Sequence, residues 1–273
     1  MLVASLHAAA CGSPPLTTPD TSPTMGSEGF FEADGARLHY VLALPGGPGS
    51  FPAVVIGHGA GPVTTSDGAD YVPFLLERGF AVLRYDKRGA GQSTGTYRGV
   101  STANSDAQIA TLGGDMASAV AFLARRPEID ARRLGLLGTS QAGWVMVEAA
   151  QRNPEVSFIV AVTGSVLPVG RNIAYEDLSG LPIEDAYARL AQYKGAPGYD
   201  PALPLAMLHS PSLWLFGGAD RLVPTRECVR VLEEQRAQGA LVEWLVYPEA
   251  THSLPGVDFW PAIDAFLGRH GIR

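Results

Sequence analysis

The sequence has little cysteine, little charge and no cluster of positive charge, and each shortage argues against a class of protein. Two cysteines, Cys11 and Cys228, are too few for a disulfide framework in 273 residues, and no cysteine–histidine spacing indicates a metal site. Charged residues make up 17% of the chain, the formal net charge is −7, and the basic residues are scattered. Binding to nucleic acid or to an anionic membrane surface is therefore not expected. Cys228, inside a predicted helix, is interpreted as a buried structural thiol.

The body of the chain also lacks an internal linker. No Pro/Gly/Ser-rich stretch divides it, and 46% of the residues are hydrophobic, which suffices for one large domain with a deep core. Beyond the N-terminus, no apolar run is long enough by inspection to cross a bilayer. We therefore expect a single folded domain over residues 27–273.

The N-terminus differs from the rest. A short apolar segment and three alanines precede Cys11, and a Pro/Ser/Thr tract follows it. This pattern resembles a bacterial lipoprotein signal, in which the cysteine is lipidated and the polar tract becomes a tether. We expect residues 1–26 to be such a segment in an exported, lipid-tethered protein. The alternative is an N-terminal extension of a cytoplasmic enzyme.

From Phe30 onward, short apolar runs alternate with stretches of helical periodicity. A hairpin is predicted around the turn Asp34-Gly35, and the repeated strand–helix order after it predicts an α/β fold: a mostly parallel, eight-stranded sheet with helices on both faces. The predicted strands are Phe30–Glu32, Arg37–Leu44, Ala53–Ile56, Ala81–Arg84, Leu134–Leu137, Phe158–Val162, Leu213–Phe216 and Val242–Val246. The predicted helices are Tyr71–Arg78, Asp106–Arg125, Ala142–Gln151, Thr225–Gln238 and Phe259–Arg269.

One segment, residues 164–210, interrupts this alternation. It contains helical pieces and several prolines but no clear strand. An insertion at this point would lie above the carboxyl ends of the strands, where open parallel sheets bind their ligands. A small cap over a pocket is one interpretation, and a packed excursion with no role in substrate binding is the other.

Residues 136–143 (LLGTSQAG) place Ser140 in a tight turn between a predicted strand and a predicted helix. Such a turn brings the backbones two residues before and after the serine together, so Gly138 and Ala142 must be small. The turn exposes the serine hydroxyl and leaves the N–H of Gln141 free to bind an oxyanion. We interpret Ser140 as a nucleophile; the alternative is a serine that only caps the helix.

A nucleophilic serine needs an acid and a histidine, which in proteins with this turn follow it in that order. Asp220 follows a buried strand on a glycine-rich loop, at the same edge of the predicted sheet as Ser140. The other aspartates considered, Asp177, Asp185 and Asp200, belong to the predicted insertion and not to a strand end.

His252 follows the last predicted strand and is the candidate base, hydrogen-bonded to Asp220. His270 lies three residues from the C-terminus, and His209 precedes the acid. A second oxyanion donor is expected in residues 57–62 (GHGAGP), from the N–H of Ala60 or alternatively of Gly59. His58 is interpreted as a residue that shapes this loop.

These segments together resemble the α/β-hydrolase superfamily over residues 28–270. Residues 84–93 (RYDKRGAGQS) are similar to the D-x-R-G-x-G-x-S stretch of esterases and serine aminopeptidase-like members, with Asp86 and Arg88 interpreted as structural. With residues 59–62 (GAGP) and 138–143 (GTSQAG), the chain resembles bacterial esterases related to dienelactone hydrolases, and prolyl-oligopeptidase catalytic domains.

The resemblance implies acyl transfer to water through an acyl-enzyme on Ser140, with no metal or organic cofactor. A carboxylic ester of modest size is the first expected substrate. A peptide, an aminoacyl compound, a thioester or a lactone is an alternative. So is a binding protein that keeps the fold without catalysis. The expected partner is thus a small ester or short peptide-like molecule, and the oligomeric state is not indicated.

Overall fold

The computed structural model of the chain describes residues 24–273, and it builds them around an eight-stranded sheet. Cys11 and the first 23 residues of the predicted signal segment lie outside the described residues. The strands are β1 (Thr24–Ala33), β2 (Ala36–Leu44), β3 (Phe51–Gly57), β4 (Ala81–Tyr85), β5 (Ile129–Thr139), β6 (Val156–Val162), β7 (Ser212–Gly217) and β8 (Val242–Tyr247). The helices are α1 (Val72–Glu77), α2 (Ser105–Ala124), α3 (Ala142–Arg152), α4 (Val169–Glu176), α5 (Ile183–Leu190), α6 (Ala202–Ala206), α7 (Thr225–Ala237) and α8 (Trp260–Arg269), and Ala69–Tyr71 forms a 3₁₀ turn before α1.

The order of the strands across the sheet is β1-β2-β4-β3-β5-β6-β7-β8. β2 runs antiparallel to both of its neighbours, and every pair from β4 to β8 is parallel. This confirms the predicted α/β fold with eight mostly parallel strands and an antiparallel hairpin at its start. The parallel strands direct the loops after β3, β4, β5, β7 and β8 to one edge of the sheet.

The strands β1 and β5 begin well before their predicted starts, for the same physical reason. β1 begins at Thr24, which pairs with Leu44, so the folded domain starts inside the segment assigned to the tether and not at residue 27. β5 begins at Ile129, opposite Phe51, and passes through a polar stretch before its apolar run starts at Leu134. Backbone pairing extends both strands where the side chains show no apolar pattern.

The sheet has a hydrophobic core on each face. Successive residues of β3 alternate between the faces, with Val55 in one core and Val54 and Ile56 in the other. The first core contains residues of α2, α3 and α7, and the second contains residues of α1 and α8. Helices therefore cover both faces, which is why the central strands are apolar at successive positions.

The helix α2 is the one described helix that is long and apolar enough, by length and composition, to cross a membrane. The sequence-based expectation of no such run was wrong on that criterion. The helix packs against α3 and the β1, β3 and β5 strands, and Ile109, Met116 and Leu123 are fully buried in the core. Its apolar residues thus cover the sheet.

The segment between β6 and β7 contains α4, α5 and α6, and residues 164–210 include no strand. Side chains of the loop after β7 and of α7 hold it in place. Arg171 of α4 makes a bidentate ion pair with Glu227 of α7, and Arg226 makes another with Glu184 of α5. The guanidinium of Arg221 donates to backbone carbonyls in residues 178–181.

Candidate active site

Ser140 occupies a strained turn between β5 and α3. Its φ of 58° lies in the left-handed region, and its N–H donates to the carbonyl of Val162 at 3.0 Å. A Cβ at Gly138 would lie 2.6 Å from the Cβ of Ala142 and 2.9 Å from the Cα of Gly57. Ala142 fits because neither glycine has a side chain, which explains why an alanine can stand two residues after the serine. The turn has the close backbone approach that the sequence predicted.

Gly143 is constrained by a different neighbour. A Cβ there would lie 2.9 Å from the backbone N and O of Ser165, just after the end of β6. The first turn of α3 therefore packs directly against the backbone of the adjacent strand end. Gly143 and Gly138 together anchor the serine turn on both sides, so its position depends on contacts that a side chain would abolish.

Asp220 is 1% exposed and is fully engaged by hydrogen bonds. Its Oδ1 accepts from the N–H groups of Leu222 and Val223 at 2.7 and 2.9 Å, and its Oδ2 lies 2.8 Å from Nδ1 of His252. An ionised Asp220 makes Nδ1–H the donor, so Nε2 of His252 is left with a lone pair that can accept a proton. This is the arrangement that a general base requires.

The ring of His252 and Ser140 line one cavity of about 390 Å³, together with Tyr71 and the loop after β3. Within the described chain, no hydrogen bond joins Ser140 Oγ to the imidazole. The two residues after the histidine, Ser253 and Leu254, have φ values of 67° and 51°. Leu254 is 2% exposed in the core, so its burial holds this strained loop in place.

The loop after β3 presents backbone N–H groups beside Ser140. The amide of Gly59 donates weakly to Asp67 Oδ2 at 3.4 Å, and that of Gly61 donates to the Tyr97 hydroxyl at 3.2 Å. In residues 24–273, the amides of Ala60 and Gln141 have no protein acceptor. Ala60 lines both cavities that adjoin Ser140, and Gln141 lines the second. Two unpaired donors therefore flank the serine.

His58 lies in the same loop but faces away from this chemistry. The ring is 5% exposed, and its Nε2–H donates to the carbonyl of Tyr85 at 2.7 Å. Burial, and then the nearby charge of Lys87, lower the pKa of His58 from 6.5 to about 3. The imidazole is therefore neutral at physiological pH and links the loop to the end of β4.

A second cavity, of about 250 Å³, opens on the other side of Ser140. The helix α4 lies along it, so the segment 164–210 borders the space next to the serine. Glu176 is exposed at this cavity, while Asn172 is 5% exposed. The apolar lining residues are Val100, Trp144, Val169, Ile173, Leu222 and Val223.

The residues considered as alternatives lie elsewhere. His209 is exposed near the start of β7, and His270 bonds to Glu243 at the C-terminal helix. The three aspartates of the insertion are exposed, and one of them, Asp200, accepts a hydrogen bond from the backbone of α6. No group of three or more His, Cys, Asp or Glu side chains suited to a metal occurs in residues 24–273.

Sequence reasoning missed Lys87, which joins the loop after β3 to the serine turn. The side chain is buried, and its Nζ donates to the carbonyls of Gly59 and Gly61 and to the side-chain oxygen of Gln141. The one sequence feature that could have pointed to a role for Lys87 is its position between Asp86 and Arg88, in a loop interpreted as structural. Burial of a lysine is a tertiary property that this signal does not indicate.

The fold and this site define a hydrolase of the α/β type. Two family models match the chain: X-Pro dipeptidyl-peptidase (S15 family) over residues 34–177, and the C-terminal domain of BAAT / acyl-CoA thioester hydrolase over residues 116–265. Each match covers more than half of the chain. The chain therefore belongs to the α/β-hydrolase superfamily, and it is related to both of these families.

Curated relatives and solved structures agree with this assignment. The chain is 28% identical over 178 residues to a Methylorubrum extorquens protein named as a carboxymethylenebutenolidase, covering 61% of this chain and 52% of that one. It is 24% identical to the acylamino-acid-releasing enzyme of Homo sapiens, covering 82% and 32%. The chain therefore spans about half or less of these two relatives. Acetyl xylan esterase 1 from Thermoanaerobacterium sp. has the same fold, with a TM-score of 0.67 at 18% identity over 93% of this chain and 89% of that one.

Proposed function

We propose that this chain is a serine hydrolase that cleaves a carboxylic ester through an acyl-enzyme on Ser140. The observation that carries the proposal is that His252, bound to the buried carboxylate of Asp220, lines the same cavity as a serine in a strained strand–helix turn. Each of the three side chains follows a strand at the same edge of the sheet. Membership of the superfamily supports the same reaction class.

The reaction follows from the roles that these groups can take. Ser140 Oγ attacks the ester carbonyl while Nε2 of His252 takes the hydroxyl proton, and Asp220 stabilises the imidazolium. Collapse of the tetrahedral intermediate breaks the bond to the alcohol, which leaves with the proton from His252. Water then attacks the acyl-enzyme and gives a proton to His252. Collapse of this second tetrahedral intermediate breaks the bond to Ser140 Oγ, which takes the proton back from His252, and the carboxylic acid is released.

The negative charge of the tetrahedral intermediate needs donors that are already in place. The amides of Ala60 and Gln141 are the proposed pair, since both lie next to Ser140 and neither has a protein acceptor in the described residues. Gln141 is also at the N-terminus of α3, where the helix dipole favours an anion. The amide of Gly59, which was the alternative, already contacts Asp67.

The two cavities beside Ser140 suggest where the two parts of an ester bind. Both are small, at about 390 and 250 Å³, which fits a substrate of modest size. We propose that residues 164–210 act as a cap, because α4 supplies part of the wall of the smaller cavity. In this proposal the apolar cavity under α4 selects the acyl group.

One observation favours a second substrate class. Among residues 24–273, Glu176 is the only charged side chain that lines the smaller cavity, and it makes no ion pair with any of them. An exposed carboxylate near the reacting serine would attract a cationic amine, as in an aminoacyl or peptide substrate. The S15 match and the acylamino-acid-releasing relative are consistent with this alternative. A thioester also fits the same site chemistry.

A fluorophosphonate probe tests the nucleophile. We expect the wild-type protein to label covalently and Ser140→Ala to lose labelling, because the probe reacts with an activated serine. Ser165→Ala is the matched control, since Ser165 also lines the smaller cavity and should leave labelling intact. Labelling that persists in Ser140→Ala would overturn the nucleophile, and no labelling of the wild type would favour a non-catalytic binding protein.

Substrate class is tested by comparing rates on one preparation of enzyme. The panel contains p-nitrophenyl esters of increasing acyl length, an acyl thioester and an aminoacyl anilide. We expect the highest kcat/KM on a short or medium ester. A higher kcat/KM on the anilide, reduced by Glu176→Gln while ester hydrolysis is unchanged, would establish the peptidase alternative.

We also propose that the protein is exported and lipidated at Cys11, on the support of the N-terminal sequence pattern alone. Expression in a bacterium with a labelled fatty acid should place the label on the wild type and not on Cys11→Ala. An unlabelled protein of full mass in the cytoplasmic fraction would favour the cytoplasmic alternative.

A further inference from the structure

The chain contains only two lysines, and they lie in opposite environments. Lys194 is exposed in the segment 164–210, whereas Lys87, in the loop after β4, is 2% exposed. No carboxylate of the described residues forms a salt bridge with Lys87. A buried ammonium without an ion-pair partner costs free energy, so the contacts that replace the partner indicate what it does.

Those contacts are three oxygens and an aromatic face. Nζ of Lys87 donates to Gly59 O at 2.7 Å, to Gly61 O at 2.8 Å and to Gln141 Oε1 at 3.3 Å. It also lies 4.5 Å from the centre of the Tyr97 ring, and the Tyr97 hydroxyl accepts the N–H of Gly61. One ammonium thus joins the loop after β3 to the turn that carries Ser140.

The contact with Gly59 has a direct chemical consequence. The carbonyl of Gly59 and the N–H of Ala60 belong to the same planar peptide group. A cation on the carbonyl oxygen therefore fixes the plane in which the N–H points and draws electron density away from it, which makes the N–H a stronger donor. The contact with Gln141 holds the residue whose amide is the second proposed donor.

We propose that Lys87 is a positioning residue that orients and polarises the oxyanion-binding amides of Ala60 and Gln141. The inference rests on the proposed function, because those amides act only if a tetrahedral oxyanion forms at Ser140. In this role the charge of Lys87 stabilises the transition state and not the bound substrate. Preorganised dipoles act on negative charge as it develops, so kcat should depend on Lys87 and KM should change little.

The proposal makes activity depend on the protonation of Lys87. Burial lowers its pKa from 10.5 to about 8, and the negative charge of Asp67 partly opposes this shift. The other groups that face the ammonium are the neutral His58, the Tyr97 phenol and the amide of Gln141. As the pH rises through about 8, the ammonium loses its proton, the Ala60 amide is polarised less, and kcat should fall.

Stability should change in the opposite direction over the same pH range. The pKa of Lys87 is lower in the folded chain than in the unfolded chain, so between about 8 and 10.5 the unfolded state binds more protons. For this group, stability therefore rises with pH in that window. If kcat falls in this pH range, the deprotonation of Lys87 cannot have caused that loss by destabilising the fold.

The experiment compares Lys87→Met with Lys194→Met on the preferred ester from pH 6 to 10. We expect Lys87→Met to lower kcat by roughly 10²–10³-fold, the usual effect of losing one oxyanion donor, with KM changed less than about threefold. The residual kcat of Lys87→Met should no longer fall as the pH rises through about 8. Lys87→Arg, which keeps the charge, should recover part of kcat and lose the alkaline fall, and Lys194→Met should match the wild type.

A measurement on the unmutated site covers the case in which Lys87→Met does not fold. Lysine labelled with ¹³C at Cε gives two signals in the wild type, and Lys194→Arg leaves only that of Lys87. We expect the titration midpoint of this signal to coincide with the alkaline midpoint of kcat. A Lys87 that titrates near 10.5, or a variant with wild-type kcat and pH profile, overturns the inference. If the Lys87 inference fails in this way but Ser140→Ala is inactive in the same assays, the proposed function still stands.

Discussion

The loops that carry the candidate catalytic residues and the segment 164–210 are held in place by different forces. The loops depend on backbone contacts with no spare room, as at Gly138, and on left-handed conformations at Ser140, Ser253 and Leu254. The segment 164–210 depends on side-chain contacts: Val169 and Leu205 are buried in the core, and two bidentate arginine–glutamate pairs join α4 and α5 to α7. The proposed chemistry thus lies where an added side-chain atom would meet backbone, and the proposed selectivity lies where side chains meet one another.

This difference has an energetic basis. A clash with backbone atoms cannot relax without moving a strand, and overpacking costs about 1–3 kcal/mol. Ion pairs between half-exposed side chains contribute about 0–1 kcal/mol and are screened by salt. Changes at residues of the insertion that line the cavity and are not buried, such as Ile173 and Glu176, can therefore reshape the space beside Ser140 at little cost in stability. Changes in the loops would displace the reacting groups themselves.

The largest effect is expected at the buried carboxylate. Asp220→Asn keeps the shape and can still accept the N–H groups of Leu222 and Val223, but its amide favours the wrong tautomer of His252. We expect kcat to fall by about 10⁴-fold with the thermal midpoint nearly unchanged. Asp200→Asn in the insertion is the control and should keep full activity. A kcat within tenfold of wild type in Asp220→Asn would contradict the assigned role of the acid.

The next effect concerns the backbone approach at the serine turn. Gly138→Ala should destabilise the protein by about 2 kcal/mol and lower activity, because the added Cβ meets Ala142 and the backbone of Gly57. Gly114→Ala is the matched control: it lies inside α2, its Cβ meets no atom closer than 3.9 Å, and it should stabilise the protein by about 0.5–1 kcal/mol. Chemical denaturation measures both. Equal effects of the same sign would show that the turn is not tightly packed.

A smaller effect is expected on substrate choice in the insertion. Ile173→Ala enlarges the apolar cavity under α4, so longer acyl chains should be favoured by about fourfold for each methylene that gains burial, at about 0.8 kcal/mol each. Hydrolysis of an acetyl ester should change little. The control is Leu203→Ala, since Leu203 is 70% exposed on α6 and does not line the cavity. An unaltered chain-length profile in Ile173→Ala would remove the insertion from acyl selection.

The smallest effect is expected for the ion pair between Arg171 and Glu227. A double-mutant cycle with Arg171→Met and Glu227→Gln should give a coupling of about 0.5–1 kcal/mol at low salt, because both side chains are partly exposed. The coupling should decrease in 1 M salt while kcat on an acetyl ester stays within about twofold. A coupling of several kcal/mol would show that the insertion is held as firmly as the loops.

Much of the arrangement could be predicted because it is local in the sequence. Apolar runs bounded by turn residues predicted each strand, and the small residues at 138 and 142 predicted the turn at Ser140. The pairing of His252 with Asp220 was predicted because both follow strands whose carboxyl ends share an edge. The polar start of β5 and the first residues of β1 escaped prediction, since backbone pairing alone extends those strands.

The sequence by itself determined the order of strands and helices, the α/β class and the residues that follow each strand, because periodicity and turn chemistry act over a few neighbours. Only the tertiary structure decided that Lys87 is buried against Gly59 and Gln141, and that α4 borders a cavity next to Ser140. Those contacts join segments more than 25 residues apart, and no local pattern encodes which distant side chain will fill a given space. Burial and close approach depend on how the whole chain packs.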